Sequence, residues 1–163
     1  MTGVESSFRA GIGTLELEHG PGELRMWTLQ PPLASTLFGT VVPVNIMLEG
    51  TDDLDTANLG LIAEVVADPD RHLADALRFA HQKLLDDPAF FGLTEAEVEP
   101  YREAPSRSIP LGEPRLVFYT GAQWCAFFEE GRLPICDPYG FSVAFEHHRP
   151  VRVEDWQDAE ILG

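Results

Sequence analysis

Lysine is almost missing from this chain. Of eleven basic residues only Lys83 is a lysine, and they face 27 aspartates and glutamates, for a formal charge of −16. Such a balance offers no basic track for phosphates. It repels nucleic acid and anionic lipid, so neither is expected as a partner, and it draws basic proteins inward. Cysteine is scarce too: Cys125 and Cys136 are the two. They could bridge if neighbouring strands carried them, but nothing requires it. No apolar run approaches the roughly 18–20 residues of a membrane span. The first residues, Met1-Thr-Gly-Val-Glu, lack the apolar core of a signal peptide. The expected location is the cytoplasm, with reduced thiols. Catalytic signatures are also missing. There is no Walker A loop, no G-x-S-x-G, no H-E-x-x-H and no paired C-x-x-C, and Gly11-Ile-Gly13 lacks the third glycine of a dinucleotide fingerprint. Neither cofactor nor metal is expected, and binding is favoured over turnover.

What is present suits one domain over residues 1–163, with an apolar share of 44% that can fill a core. Thr14-Leu-Glu-Leu-Glu alternates as a half-buried strand does. A His19-Gly-Pro-Gly turn then leads to the return strand Leu24-Arg-Met-Trp-Thr-Leu. Gln30-Pro-Pro interrupts the sheet. Val41 to Leu48 reads as a third strand, with Pro43 marking an edge or a bulge. The middle is helical. Leu54, Ala57, Leu61 and Val65 recur at helical spacing behind Asp53 or Asp55 as caps, although Gly60 leaves a buried strand open. Asp68-Pro69 starts a second helix with the stripe Leu73, Leu77, Ala80 and Leu84. Thr94 and Glu97 make a capping box, with Leu93 and Val98 as its staple, and Pro100 ends that helix.

Residues 103–114, with three prolines, read as a loop. Then come strands Leu116–Tyr119 and Trp124–Phe128, the short strand Leu133-Pro-Ile, a type I turn at Asp137-Pro-Tyr-Gly, and a one-faced strand Phe141–Glu146. Val151-Arg-Val closes the sheet, and Asp155 caps a final turn of helix. Strands, then helices, then strands predict an α+β fold: a mostly antiparallel sheet with two or three helices packed on one face. Trp124, Phe128, Phe141 and Phe145 are its expected aromatic core.

Four groups are candidates for chemistry. Adjacent His147 and His148 point to opposite faces of a strand, which suits no shared metal, so an exposed turn is expected. Cys136 lies a whole strand from His147, too far for a Cys–His nucleophile. Asp52, Asp53 and Asp55 lack the frame of a calcium loop and are expected to cap a helix. His81 reads as a half-buried structural histidine.

The stretch Gln123-Trp-Cys-Ala-Phe-Phe-Glu-Glu-Gly-Arg-Leu-Pro-Ile-Cys-Asp-Pro-Tyr-Gly-Phe-Ser-Val-Ala-Phe resembles the C-terminal meander of small acidic uncharacterised bacterial domains. Some of these are grouped with the immunity proteins of polymorphic toxin systems. The likeness implies a small cytoplasmic, non-enzymatic protein that plugs a toxin domain. It covers only a C-terminal part of the chain and carries over no binding residue.

Two readings follow. In the first, the acidic segments 49–55, 86–87, 95–103 and 154–160 dock on a basic toxin domain. Asp52, Asp53 and Asp55 supply charge there, and Tyr101, Tyr139 and Trp156 anchor the contact. In the second, the sheet cups a small molecule or metal under the helices, as a cryptic enzyme would. That reading needs a deep pocket with convergent polar groups and perturbed titrations, and is sunk by a solid core between sheet and helices. A nucleic-acid mimic, the third and weaker idea, needs its carboxylates on one extended face, and this sequence spreads them along its length.

Overall fold

A computed structural model describes residues 5–19, 24–49, 53–137 and 140–155. It is an α+β fold. Its main sheet has eight strands in the order β1 (Ser6–Arg9), β2 (Gly13–His19), β3 (Arg25–Gln30), β6 (Val44–Leu48), β7 (Leu111–Phe118), β8 (Gln123–Gly131), β9 (Phe141–Glu146) and β10 (Arg149–Asp155). Neighbours are antiparallel except β6 and β7, which pair parallel through Asn45↔Val117. A parallel pair needs a long crossover, usually helical. Here the crossover is the helical middle of the chain: α1 (Leu59–Ala67), α2 (Pro69–Asp86) and the short α3 (Glu95–Val98).

The crossover covers one face of the sheet. α2 buries Leu73, Leu77, Ala80 and Leu84, the stripe expected from spacing, and adds His72 and Ala76. Opposite them the sheet presents Leu15, Trp27, Ile46, Leu116, Phe118, Trp124, Phe128, Phe141 and Phe145, all in one buried cluster. Trp124 stacks between Phe118 at 5.2 Å and Phe145 at 4.1 Å between ring centroids. Its indole N–H donates to the His147 carbonyl at 2.6 Å. The expected aromatic core is therefore the centre of the fold.

Several boundaries differ from the sequence reading, each for a local reason. The first helix begins at Leu59, not Leu54. Asn58 is its N-cap and accepts from the Leu61 amide, while Asp53 caps a separate 3-10 turn, Leu54–Thr56. Asp68 precedes Pro69 as expected, yet its side chain makes no capping bond. The strand expected over Val41–Leu48 breaks at Pro43, which has no N–H for the ladder. Thr40–Val42 (β5) turns away to pair with Leu33–Ser35 (β4) as a two-stranded ribbon. Val44–Leu48 enters the middle of the main sheet, not its edge.

The proline-bearing loop ends at Pro110, and Pro114 sits inside β7 opposite Phe128. Leu133-Pro-Ile is no strand: β8 runs on to Gly131, and Pro134–Cys136 forms a 3-10 turn. The strand Phe141–Glu146 is buried on both faces down to Phe145, because Ser142 and Ala144 are covered as well. The capping box at Thr94 and Glu97 is present. The middles of the turns expected at His19-Gly-Pro-Gly and Asp137-Pro-Tyr-Gly, and the helical turn after Asp155, lie outside the described residues.

Candidate functional site: the bare face of the sheet

Alternation along each strand sends every second side chain away from the helices. Register alignment assembles these side chains into one surface. Phe8 pairs with Thr14. Glu16, Thr28 and Asn45 lie across from one another, as do Glu18, Met26 and Met47. Val117 and Cys125 lead on to Ala144 and Arg152, and Arg115 and Phe127 lead on to Ser142 and Glu154. Among the described residues no helix lines its cleft, although Val117, Cys125, Ser142 and Ala144 on it are buried. Phe8 is 70% exposed and Tyr119 40% exposed.

The middle of the face is a cleft of about 670 Å³. Met26, Met47, Val117, Cys125 and Phe127 make its apolar floor, and Glu49, Arg115, Tyr119 and Glu129 stand round it. A smaller depression of about 210 Å³ adjoins it through Tyr119 and Cys125 and reaches Arg152 and Glu154.

One polar chain crosses the floor over four strands. Asn45, only 1% exposed, donates from its amide to the Thr28 hydroxyl at 2.9 Å and accepts from Arg115 Nη1 at 2.6 Å. Arg115 also donates from Nε to Glu129 at 3.0 Å and from Nη2 at 2.8 Å. The guanidinium is thereby fixed in place and its charge matched. Arg152 likewise stands 3.5 Å from Glu154. Glu16, Glu18 and Glu49 have no described cation within ion-pair distance. Among the described residues, the β2–β6 side of the face thus carries carboxylates without a paired cation.

Thiol chemistry does not fit this cleft. Burial first, then the Glu154 charge, pushes the Cys125 thiol up to about 12, although a hydrogen bond from Tyr119 pulls the other way. Burial raises the Tyr119 phenol as well, with Cys125 and Glu154 adding to the effect. A protonated, buried thiol is no nucleophile at neutral pH. Cys136 is pushed up to about 11 by burial, and both cysteines are free. Among the described residues no three His, Cys, Asp or Glu side chains converge as metal ligands.

Of the partner contacts singled out from sequence, Asp53, Asp55 and Tyr101 are described, and none lines the cleft. Asp53 accepts from the Asp55 amide, and Asp55 pairs with Arg9 at 3.1 Å. Tyr101 is half-buried against the core, and its carbonyl accepts from His81 Nε2 at 2.6 Å. His81 is structural, its other ring nitrogen meeting the Ser106 hydroxyl at 3.0 Å. Asp52, Tyr139 and Trp156 lie outside the described residues. Sequence reasoning missed Met26, Met47, Asn45, Arg115 and Tyr119. A signal existed: in β3, β6 and β7 the positions between core residues hold Met, Asn, Arg and Val where a solvated face would hold mostly charge.

The histidine pair lies in an exposed turn, as expected. His147 and His148 do form the two-residue turn between β9 and β10, with His147 at φ 55°. His148 is not idle, however. Its Nδ1 meets Nε2 of His72 at 3.1 Å, and its Nε2 meets Glu64 Oε2 at 2.5 Å.

No known protein-family model matches the chain, and comparison with curated proteins and with solved structures also gives no match.

Proposed function

We propose that this is a non-enzymatic binding protein whose bare sheet face docks on a basic partner protein, in the manner of an immunity-type inhibitor occluding a toxin domain. The observation that carries the reading is the combination on one face of an apolar cleft with carboxylates that no described cation matches. Apolar floor supplies burial on docking, and unmatched negative charge selects a basic surface and speeds encounter. The net charge of −16 acts in the same direction at longer range. Against the alternative, a ligand cupped under the helices, stands the cluster of buried apolar side chains packed there.

The test is capture of partners from the source cell at low salt, with the wild type and with Glu18→Lys/Glu49→Lys and Met47→Lys variants, followed by titration of the purified partner. The reading expects a basic protein bound by the wild type. Its affinity should fall steeply with salt, and each variant should weaken it at least about ten-fold, the ratio corresponding to about 1.4 kcal/mol. Equal binding by wild type and variants would move the contact off this face. A partner that is not basic, or binding indifferent to salt, would overturn the proposal.

A further inference from the structure

Glu64 on α1, His72 on α2 and His148 in the β9–β10 turn form a continuous hydrogen-bonded chain, and its proton count is fixed by which atoms can donate. The chain starts at the Asp68 carbonyl, 3.0 Å from His72 Nδ1. A carbonyl only accepts, so Nδ1 of His72 carries the hydrogen. His72 is 3% exposed, with the Trp124 and Phe145 rings against it. With Nδ1 donating to the carbonyl, the neutral ring offers a lone pair at Nε2. His148 Nδ1, 3.1 Å away, must then donate. Glu64, as a carboxylate, accepts at the other end, so His148 Nε2 must donate too, across 2.5 Å. The closed chain therefore holds one proton more than two neutral imidazoles and a carboxylate. When that proton leaves, one link becomes a contact between two acceptors and opens.

We infer that Glu64, His72 and His148 are a proton-operated latch that fastens the β9–β10 hairpin to α1 and α2. Asp68 and Arg71 flank His72 along the chain. On its own hairpin His148 is flanked by Glu146, His147 and Arg149. On α2, Asp75 pairs with Arg78, and Asp70 is engaged by the Ser35 hydroxyl and the amides of Thr36 and Leu37. The sheet side against His72 is aromatic. By linkage, the state that binds the extra proton is favoured at low pH. The latch therefore closes as pH falls and opens as pH rises. β10 also carries Arg152 and Glu154 on the bare face, so the hairpin it holds is part of that surface. The inference stands whether or not a partner docks there.

The test is NMR on the full chain between pH 5 and 8.5, reading the ring nitrogens of both histidines and the exchange of amides in residues 146–153. At the acid end both nitrogens of His148 should carry hydrogen, with His72 neutral and protonated at Nδ1. On raising the pH, His148 should lose its proton and hairpin protection should fall roughly ten-fold, the effect of losing a charge-assisted bond. Glu64→Gln separates a latch from a merely structural contact. The amide of that variant can donate to His148 Nε2, so a neutral His148 completes the chain, and protection should be kept while its pH dependence flattens. Protection that does not change with pH in the wild type would overturn the latch. So would a neutral His148 at the acid end, or a Glu64→Gln hairpin unprotected at every pH.

Discussion

Asn45 shows how much one side chain settles here. It is a polar residue in the middle of an eight-stranded sheet, and it is satisfied at both ends by Thr28 and Arg115. Asn45→Ala would leave a hydroxyl and a guanidinium N–H without that partner in a buried place. Urea unfolding should show a loss of about 1–3 kcal/mol, with little change in slope. Its identity was readable in the sequence, but its partner was not, since Arg115 lies seventy residues away. The two cysteines make a second residue-scale prediction. With both thiols protonated and buried, a thiol reagent at pH 8 should leave the native protein unmodified and react only as denaturant unfolds it. The sign with pH follows. The folded chain keeps thiol protons that the unfolded chain releases near the ordinary value of about 8.5. Stability should therefore fall as pH climbs from there toward the raised values of Cys136 and Cys125. A thermal melt series from pH 8 to 10.5 checks it.

Elements with local signatures were the legible ones. The capping box of α3 needs only Thr94 and Glu97, whose side chains satisfy each other's backbone amides at 3.2 Å and 3.0 Å. Thr94→Ala should cost about 1 kcal/mol in unfolding free energy. Alternation fixed the faces of β2, and helical spacing fixed the buried stripe of α2. Misplaced boundaries lay where a tertiary partner outbid local preference. Pro114 is accepted within β7 because Phe128 of β8 receives it, a pairing no local pattern announces. Gly140, just before β9, has φ 96°, and an added Cβ would sit 2.5 Å from the Phe128 carbonyl oxygen. Gly140→Ala should thus cost about 2 kcal/mol or more, from left-handed strain and backbone collision together. A variant as stable as the wild type in urea would refute that account.

At the scale of the whole molecule, charge and topology act separately. A net charge of −16 on a chain of 163 residues stores self-repulsion that salt screens. The melting temperature should rise as sodium chloride goes from about 10 mM to about 300 mM, where the Debye length drops several-fold. A fall over that range would mean that specific ion pairs outweigh the repulsion. Topology explains why one face is bare. Among the described residues, the crossover between β6 and β7 carries α1, α2 and α3, while the β3–β6 link runs through the β4–β5 ribbon and the other neighbours in the main sheet are joined by short connections.

The sequence by itself determined the fold class, the aromatic centre, the helix stripe and the acidic character, because each rests on composition or on a period of two or 3.6 residues. Only the tertiary structure decided what those elements expose. The cleft exists because parallel pairing sets Asn45 beside Val117, and hairpin register carries the floor on through Cys125 to Ala144. The latch exists because a turn places His148 against residues 76 and 84 positions earlier in the chain. Such contacts join segments that share no local pattern, so they form only when the global arrangement lowers the free energy of the whole chain, and no window of sequence contains them.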